Sequence, residues 1–250
     1  MYDAPAYIWA ITIAEISAFP LATSVVLFGG ARRAGLGRRR AALIAIASAV
    51  IFASWFTASG VIAGHGGYRT RLGHGVPWLP VVVVGFVATL LALSRIPSVA
   101  RALAAPDMVS RLTHPHSFRV AGVVFLLLMI QGHLPALFAL PAGLGDIAAG
   151  IAAPRVARAL ADGTGRRAAL LFNALGITDL VVAMILGAVV GYRLISVGPS
   201  GAPISELPLA LIPSAAVPLL FALHIISISA LRKAPLTVQH PPVIAQKVAA

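Results

Sequence analysis

Seven stretches of apolar residues recur along this chain, at 6–29, 41–63, 76–93, 117–131, 134–154, 168–190 and 207–231. Arginines or turn residues separate them. A helix needs roughly 20 mostly apolar residues to cross the hydrocarbon core of a bilayer, and most of these stretches reach that length. The chain is 59% hydrophobic and 10% charged, against about 25% charged in an ordinary soluble domain. A water-soluble fold this apolar has too little polar surface to cover itself. The expected fold is therefore all-α: a polytopic integral membrane protein with seven transmembrane helices. The fourth stretch is short and runs into Gln131-Gly132-His133-Leu134-Pro135. A six-span arrangement with a re-entrant segment at 134–141 is the alternative.

The basic residues predict orientation, because cytoplasmic loops retain Lys and Arg. Segment 31–40 holds five, 94–119 holds four, 155–167 holds four, and Arg232, Lys233 and Lys247 follow the last stretch. The alternate connections hold only Arg69, Arg71 and Arg193, a split of sixteen to three. Such alternation predicts the N-terminus outside and the C-terminus in the cytoplasm. It also explains the net charge of +12 without nucleic acid. Trp and Tyr favour membrane interfaces, and Tyr2, Tyr7, Trp9, Tyr68, Trp78 and Tyr192 all fall toward the expected outer face. Trp55 sits deeper.

The start Met-Tyr-Asp-Ala-Pro lacks the basic region of a signal peptide, so the first stretch is expected to be a retained span. Residues 1–233 form one expected transmembrane domain, and 234–250 a Pro-rich, disordered cytoplasmic tail. Segment 97–112 is expected as a short amphipathic helix on the inner surface. Arginine outnumbers lysine 17 to 2, the codon usage of a GC-rich bacterial genome, so the expected location is a bacterial cytoplasmic membrane.

Several chemistries are disfavoured. The chain has no cysteine, hence no disulfide, thiolate ligand or thiol nucleophile. No HExxH, GxSxG or Walker A sequence occurs, and Gly143-Leu144-Gly145 is not a dinucleotide fingerprint, because no strand precedes it. A retinal protein needs a lysine within a span, and Lys233 and Lys247 lie outside them. The sequence names no cofactor and no metal set. Gly60/Gly64 and Gly187/Gly191 have G-x-x-x-G spacing, which reads as packing within the bundle, with an oligomer face as the other use. His114-Pro115-His116 is expected in an inner loop.

The candidate site rests on polar groups inside the stretches: Glu15, Asp146, Asp179 and His224, with Asn173, Gln131 and His133. A carboxylate at mid-bilayer costs on the order of 3 kcal/mol or more, so such residues face the bundle interior and pair, or hold a proton. No basic residue falls deep in any of the seven stretches as drawn. At about 1.5 Å per residue from each inner end, His224 and Asp146 lie about 10–12 Å up, Asp179 about 16 Å, Glu15 about 20 Å and His133 about 24 Å. His133 and His224 are too far apart to share a haem. His224, Asp146 and Asp179 are close enough in depth to share a proton or hold a divalent ion.

Residues 143–151 echo 176–184: glycine, two residues, aspartate, then small or aliphatic residues. On antiparallel helices the two aspartates meet near the midplane, as in transporters built from inverted elements. The sequence therefore points to a proton-linked carrier or sensor of a small solute. A membrane-embedded enzyme using carboxylates and His224, with or without a metal, is one alternative, and a structural membrane subunit is another. The expected partners are the lipid bilayer and a small molecule or proton.

Overall fold

The structure is a computed structural model that describes residues 3–69 and 76–233. Tyr2, Arg71, Lys247 and the expected tail at 234–250 lie outside the described residues. Among the described residues the structure is 80% helical with no strand, and six to seven helices are long and apolar enough to span a membrane.

Helices α1 (Ala6–Arg33) and α2 (Gly37–Gly64) form a hairpin. Helix α3 (Trp78–Leu93) is followed by the short α4 (Pro97–Leu103), bent 88° from it. Pro97 opens α4 because its missing N–H is no loss in a first turn. A composite span then runs from Met108 to Ile130. It is built from α5 (Met108–Thr113), a 3₁₀ segment (His114–Gly122) and α6 (Val123–Ile130). A tight turn leads to α7 (Ala136–Ala161), which pairs with α8 (Arg166–Gly191). A five-residue π-helical segment (Ile212–Ala216) leads directly into the last helix, α9 (Val217–Lys233).

Contacts define two ends. At the arginine-rich end, Gly30 abuts Ala102 and Met108, the Ser110 hydroxyl donates to Ala157 O at 2.7 Å, and Arg166 Nη2 donates to Leu231 O at 2.9 Å. At the opposite end, Arg69 pairs with Glu206 and Gly201 packs on Val190. The last span, Ile212–Lys233, is the centre of the bundle: 67% of its most apolar stretch is buried, against 11% in α2 and 17% in α8. The outward faces of the peripheral helices are apolar, with Val25, Val84 and Leu175 each more than 60% exposed. This is the surface expected of helices that face lipid.

Three expectations are corrected. The fourth span begins near Met108, not at Ser117, because α5 and the 3₁₀ segment stack beneath α6 as one rod. Residues 97–112 are therefore not a single surface helix. Only α4 turns aside, while Met108, Ser110 and Leu112 are buried in the bundle. The segment 134–141 is not re-entrant: Pro135 is the residue before α7, and Pro141 lies inside its continuous helix.

Trp55 gains a reason for its depth. In a regular helix Ser214 O would accept from residue 218, but that residue is Pro218 and has no N–H. Trp55 Nε1 supplies the missing donor at 2.9 Å, and its ring stacks on Phe86 with centroids 4.2 Å apart.

Candidate functional site

The site begins with Pro115. The chain there tightens into nine residues of 3₁₀ helix, in which side chains three apart lie on one face. That face carries His116, Arg119 and Gly122, all buried. Arg119 is the twelfth of the 23 residues of its span, and its side chain is 0% exposed. The expectation that no cation lies deep in a span is thus overturned, as is the assignment of Arg119 and His116 to an inner loop. Both follow from starting the fourth span nine residues too late.

Arg119 joins the two echoed aspartates. Its Nε donates to Asp146 Oδ1 of α7 at 2.7 Å, and its Nη2 donates to Asp179 Oδ2 of α8. Glycines make the approach possible. A Cβ on Gly122 would collide with Asp146, and one on Gly145 would collide with Asp179. On α7, Gly143 admits Leu126 and Gly122 O, and Gly150 comes within 2.6 Å of Val120 N, both measured to an added Cβ. With Asp146, Ala153 and Ala157 these form a seam of small residues along the face of α7 that meets the 3₁₀ segment. Small residues let helix backbones close up where apolar packing alone gives no drive in lipid.

The carboxylates are the floor of a cavity of about 810 Å³ that runs toward the end bearing Arg69 and Glu206. Its walls include Phe125, Phe138, Leu180, Met184, Ile212 and Val217. The Asp146 and Asp179 side chains are 13% and 20% exposed, whereas Arg119 has no exposure. The cavity therefore meets carboxylate oxygens and not the guanidinium. At the mouth, Arg69 Nε lies 3.2 Å from Glu206 Oε1, and Tyr192 and Arg193 line the rim. Burial pushes the Tyr192 phenol above its ordinary value, so it stays a hydrogen-bond donor at neutral pH. Tyr68 forms part of the wall. Ser214 Oγ donates to Ala210 O at 2.6 Å, which leaves Ser59 to donate to Ser214 at 2.5 Å and Tyr68 to donate to Ser59 at 3.0 Å.

A second polar layer lies behind Arg119, away from the cavity. His224 on α9 stacks on His116 with centroids 4.0 Å apart, and its Nδ1 is 2.9 Å from Asn173 Oδ1. Asn173 Nδ2 donates to Ala169 O at 2.7 Å, so Oδ1 is the acceptor and His224 carries its proton on Nδ1. Gly176 leaves room for the imidazole edge. His224 thus partners an amide and an imidazole, not the depth-matched Asp146. Among the described residues no group of three or more His, Asp or Glu is placed to hold a metal.

The remaining candidates are dispersed. Glu15 on α1 is 4% exposed, with Oε2 lacking a hydrogen-bond partner, and the charges of Asp146 and Arg119 both reach it. It does not line the cavity. Gln131 and His133 are exposed on the turn after α6, where Gln131 donates to the Tyr7 hydroxyl. Sequence reasoning missed Arg119 and His116. The signal was the three-residue spacing His116-x-x-Arg119-x-x-Gly122 after a proline.

Fold and site together define a helical protein of membrane-spanning character, with a guanidinium-bridged pair of carboxylates at the base of a large cavity. The chain belongs to the family described as Domain of unknown function (DUF8737), whose model matches residues 76–232. That match holds Arg119, Asp146, Asp179 and the His116–Asn173–His224 layer, but not Glu15. No curated protein and no solved structure matches the chain.

Proposed function

We propose that this protein is a proton-linked carrier or sensor of a small solute in a bacterial cytoplasmic membrane. One observation carries the reading: two carboxylates that line the cavity share a single buried guanidinium. One positive charge against two negative ones leaves one charge over, and one proton neutralises it. The proton occupancy of the pair then sets how tightly Arg119 holds α7 and α8 together, and the packing of the cavity wall follows.

The topology belongs to the same proposal. Counting α3 with α4 as one bent span gives seven, with the N-terminus outside and the C-terminus cytoplasmic. With Arg119 moved into the interior, the basic split becomes fifteen to three and keeps its alternation. In this orientation the cavity opens outward. A reporter fused after Lys233 is expected inside, and one near Gly73, outside the described residues, is expected outside. A cytoplasmic reporter at Gly73 reverses the proposal.

The function is tested by pH titration of tryptophan fluorescence on purified protein in nanodiscs. Asp179→Asn keeps size and hydrogen-bonding capacity, so the variant is expected to fold and to lose the acid-dependent change seen in the parent. An unchanged titration removes the proton-linked reading. The ion pair also ties three elements together, which favours a purely structural role as the second reading. Loss of folding in Asp179→Asn as severe as in an Arg119 variant would support that role instead.

A further inference from the structure

We infer that the cavity takes an organic monocation, a protonated amine or quaternary ammonium on an apolar body, and that its charge takes the place of the proton on the Asp146–Asp179 pair. This rests on the proposed carrier or sensor reading and names the solute class for it.

Three features carry the inference. The first is charge: the bridged trio has one negative charge to spare. The second is which atoms face the space. Arg119 engages one oxygen of each aspartate, Oδ1 of Asp146 and Oδ2 of Asp179. A ligand in the cavity therefore meets carboxylate and is screened from the guanidinium, so an anion finds repulsion at the floor. The third is the wall. Phe125 and Phe138 stand edge to face with centroids 5.2 Å apart and both line the cavity. Aromatic rings suit the apolar body of an organic cation and attract its charge. The volume of about 810 Å³ falls within the roughly 300–1,000 Å³ of small-molecule sites.

The other charged and titratable groups do not reverse the sign at the floor. Glu15 on α1 adds negative charge when ionised. His116 and His224 lie behind Arg119 and do not line the cavity. At the mouth Arg69 is paired with Glu206, and Arg193 is exposed to water, where its field is screened.

Phenethylammonium, phenethyl alcohol and hydrocinnamate share one apolar body and differ in charge. Calorimetric titration of the full chain in nanodiscs is expected to give affinity in that order, with the ammonium at least about tenfold tighter than the alcohol, a gap of about 1.4 kcal/mol. Because cation and proton compete, ammonium affinity should rise with pH, by at most about tenfold per unit for one proton displaced. The heat should also vary with the buffer's ionisation enthalpy. Asp179→Asn should erase the preference for ammonium over alcohol. The wild-type measurements stand even if that variant misfolds. Equal or tighter binding of alcohol or hydrocinnamate, absence of ammonium binding, or pH-independent ammonium binding each overturns the inference. If the alcohol binds with proton uptake or release and the ammonium has no advantage, only the solute class falls. If wild type and Asp179→Asn also titrate identically, the proton-linked reading falls with it.

Discussion

Two polar layers flank Arg119, and they differ in openness more than in composition. On one side Asp146 and Asp179 border a cavity and remain partly exposed. On the other, His116, Asn173 and His224 are sealed at 1% exposure or less. Titratable side chains stand in both, but only the carboxylates can meet a solute. In the sealed layer the Asn173 amide holds the imidazole of His224 in one tautomer, and ring stacking fixes its plane. A buried polar residue is therefore a functional candidate only where a path reaches it; elsewhere it sets helix register.

The largest expected effect comes from removing what joins the layers. Arg119→Leu leaves two carboxylates facing each other without a counter-charge. Breaking a buried ion pair in this way costs about 3–5 kcal/mol. Thermal unfolding in detergent should show a large loss, and a wild-type melting curve would mean the bridge is not a structural element at all.

His224→Leu breaks the sealed layer alone. It leaves Asn173 Oδ1 without its donor, a loss of about 1–3 kcal/mol. Stability should fall while the pH response of the cavity persists. Loss of that response with stability intact would erase the distinction between the layers and make the imidazoles part of the proton path.

Ser59→Ala acts on the cavity wall at a distance from the floor. It breaks the chain from Tyr68 to Ser214, worth about 1 kcal/mol. Chemical unfolding should register that loss, and solute affinity should shift only through the position of Tyr68. The smallest effect is expected at the mouth, where the half-exposed Arg69 pairs with Glu206. Glu206→Gln should change stability by less than about 1 kcal/mol. Its effect on solute association should shrink as salt rises, and a salt-independent effect would argue for a closed gate instead of an open rim.

The echo of 143–151 in 176–184 is legible in the sequence, and both aspartates do reach one centre. What lies hidden there is the third member. Arg119 reads as a loop residue because Pro115 and two histidines break the apolar pattern ahead of it. The 3₁₀ segment keeps that polar stretch inside the bundle by placing His116, Arg119 and Gly122 on one buried face. Gln131 shows the opposite error: polar, and near a span, but exposed on a turn.

Local length, apolarity and charge are enough to set the helical character, the approximate spans and the alternation of arginine-rich connections, so all three can be read from the order of residues alone. The same order marks Asp146 and Asp179 as residues in need of a partner. Tertiary packing chose the identity of that partner, the separation of His224 from the acids, and the side on which the cavity opens. Those follow from which glycines let which backbones approach, and approach between distant segments is set by packing in three dimensions, where sequence spacing carries no distance.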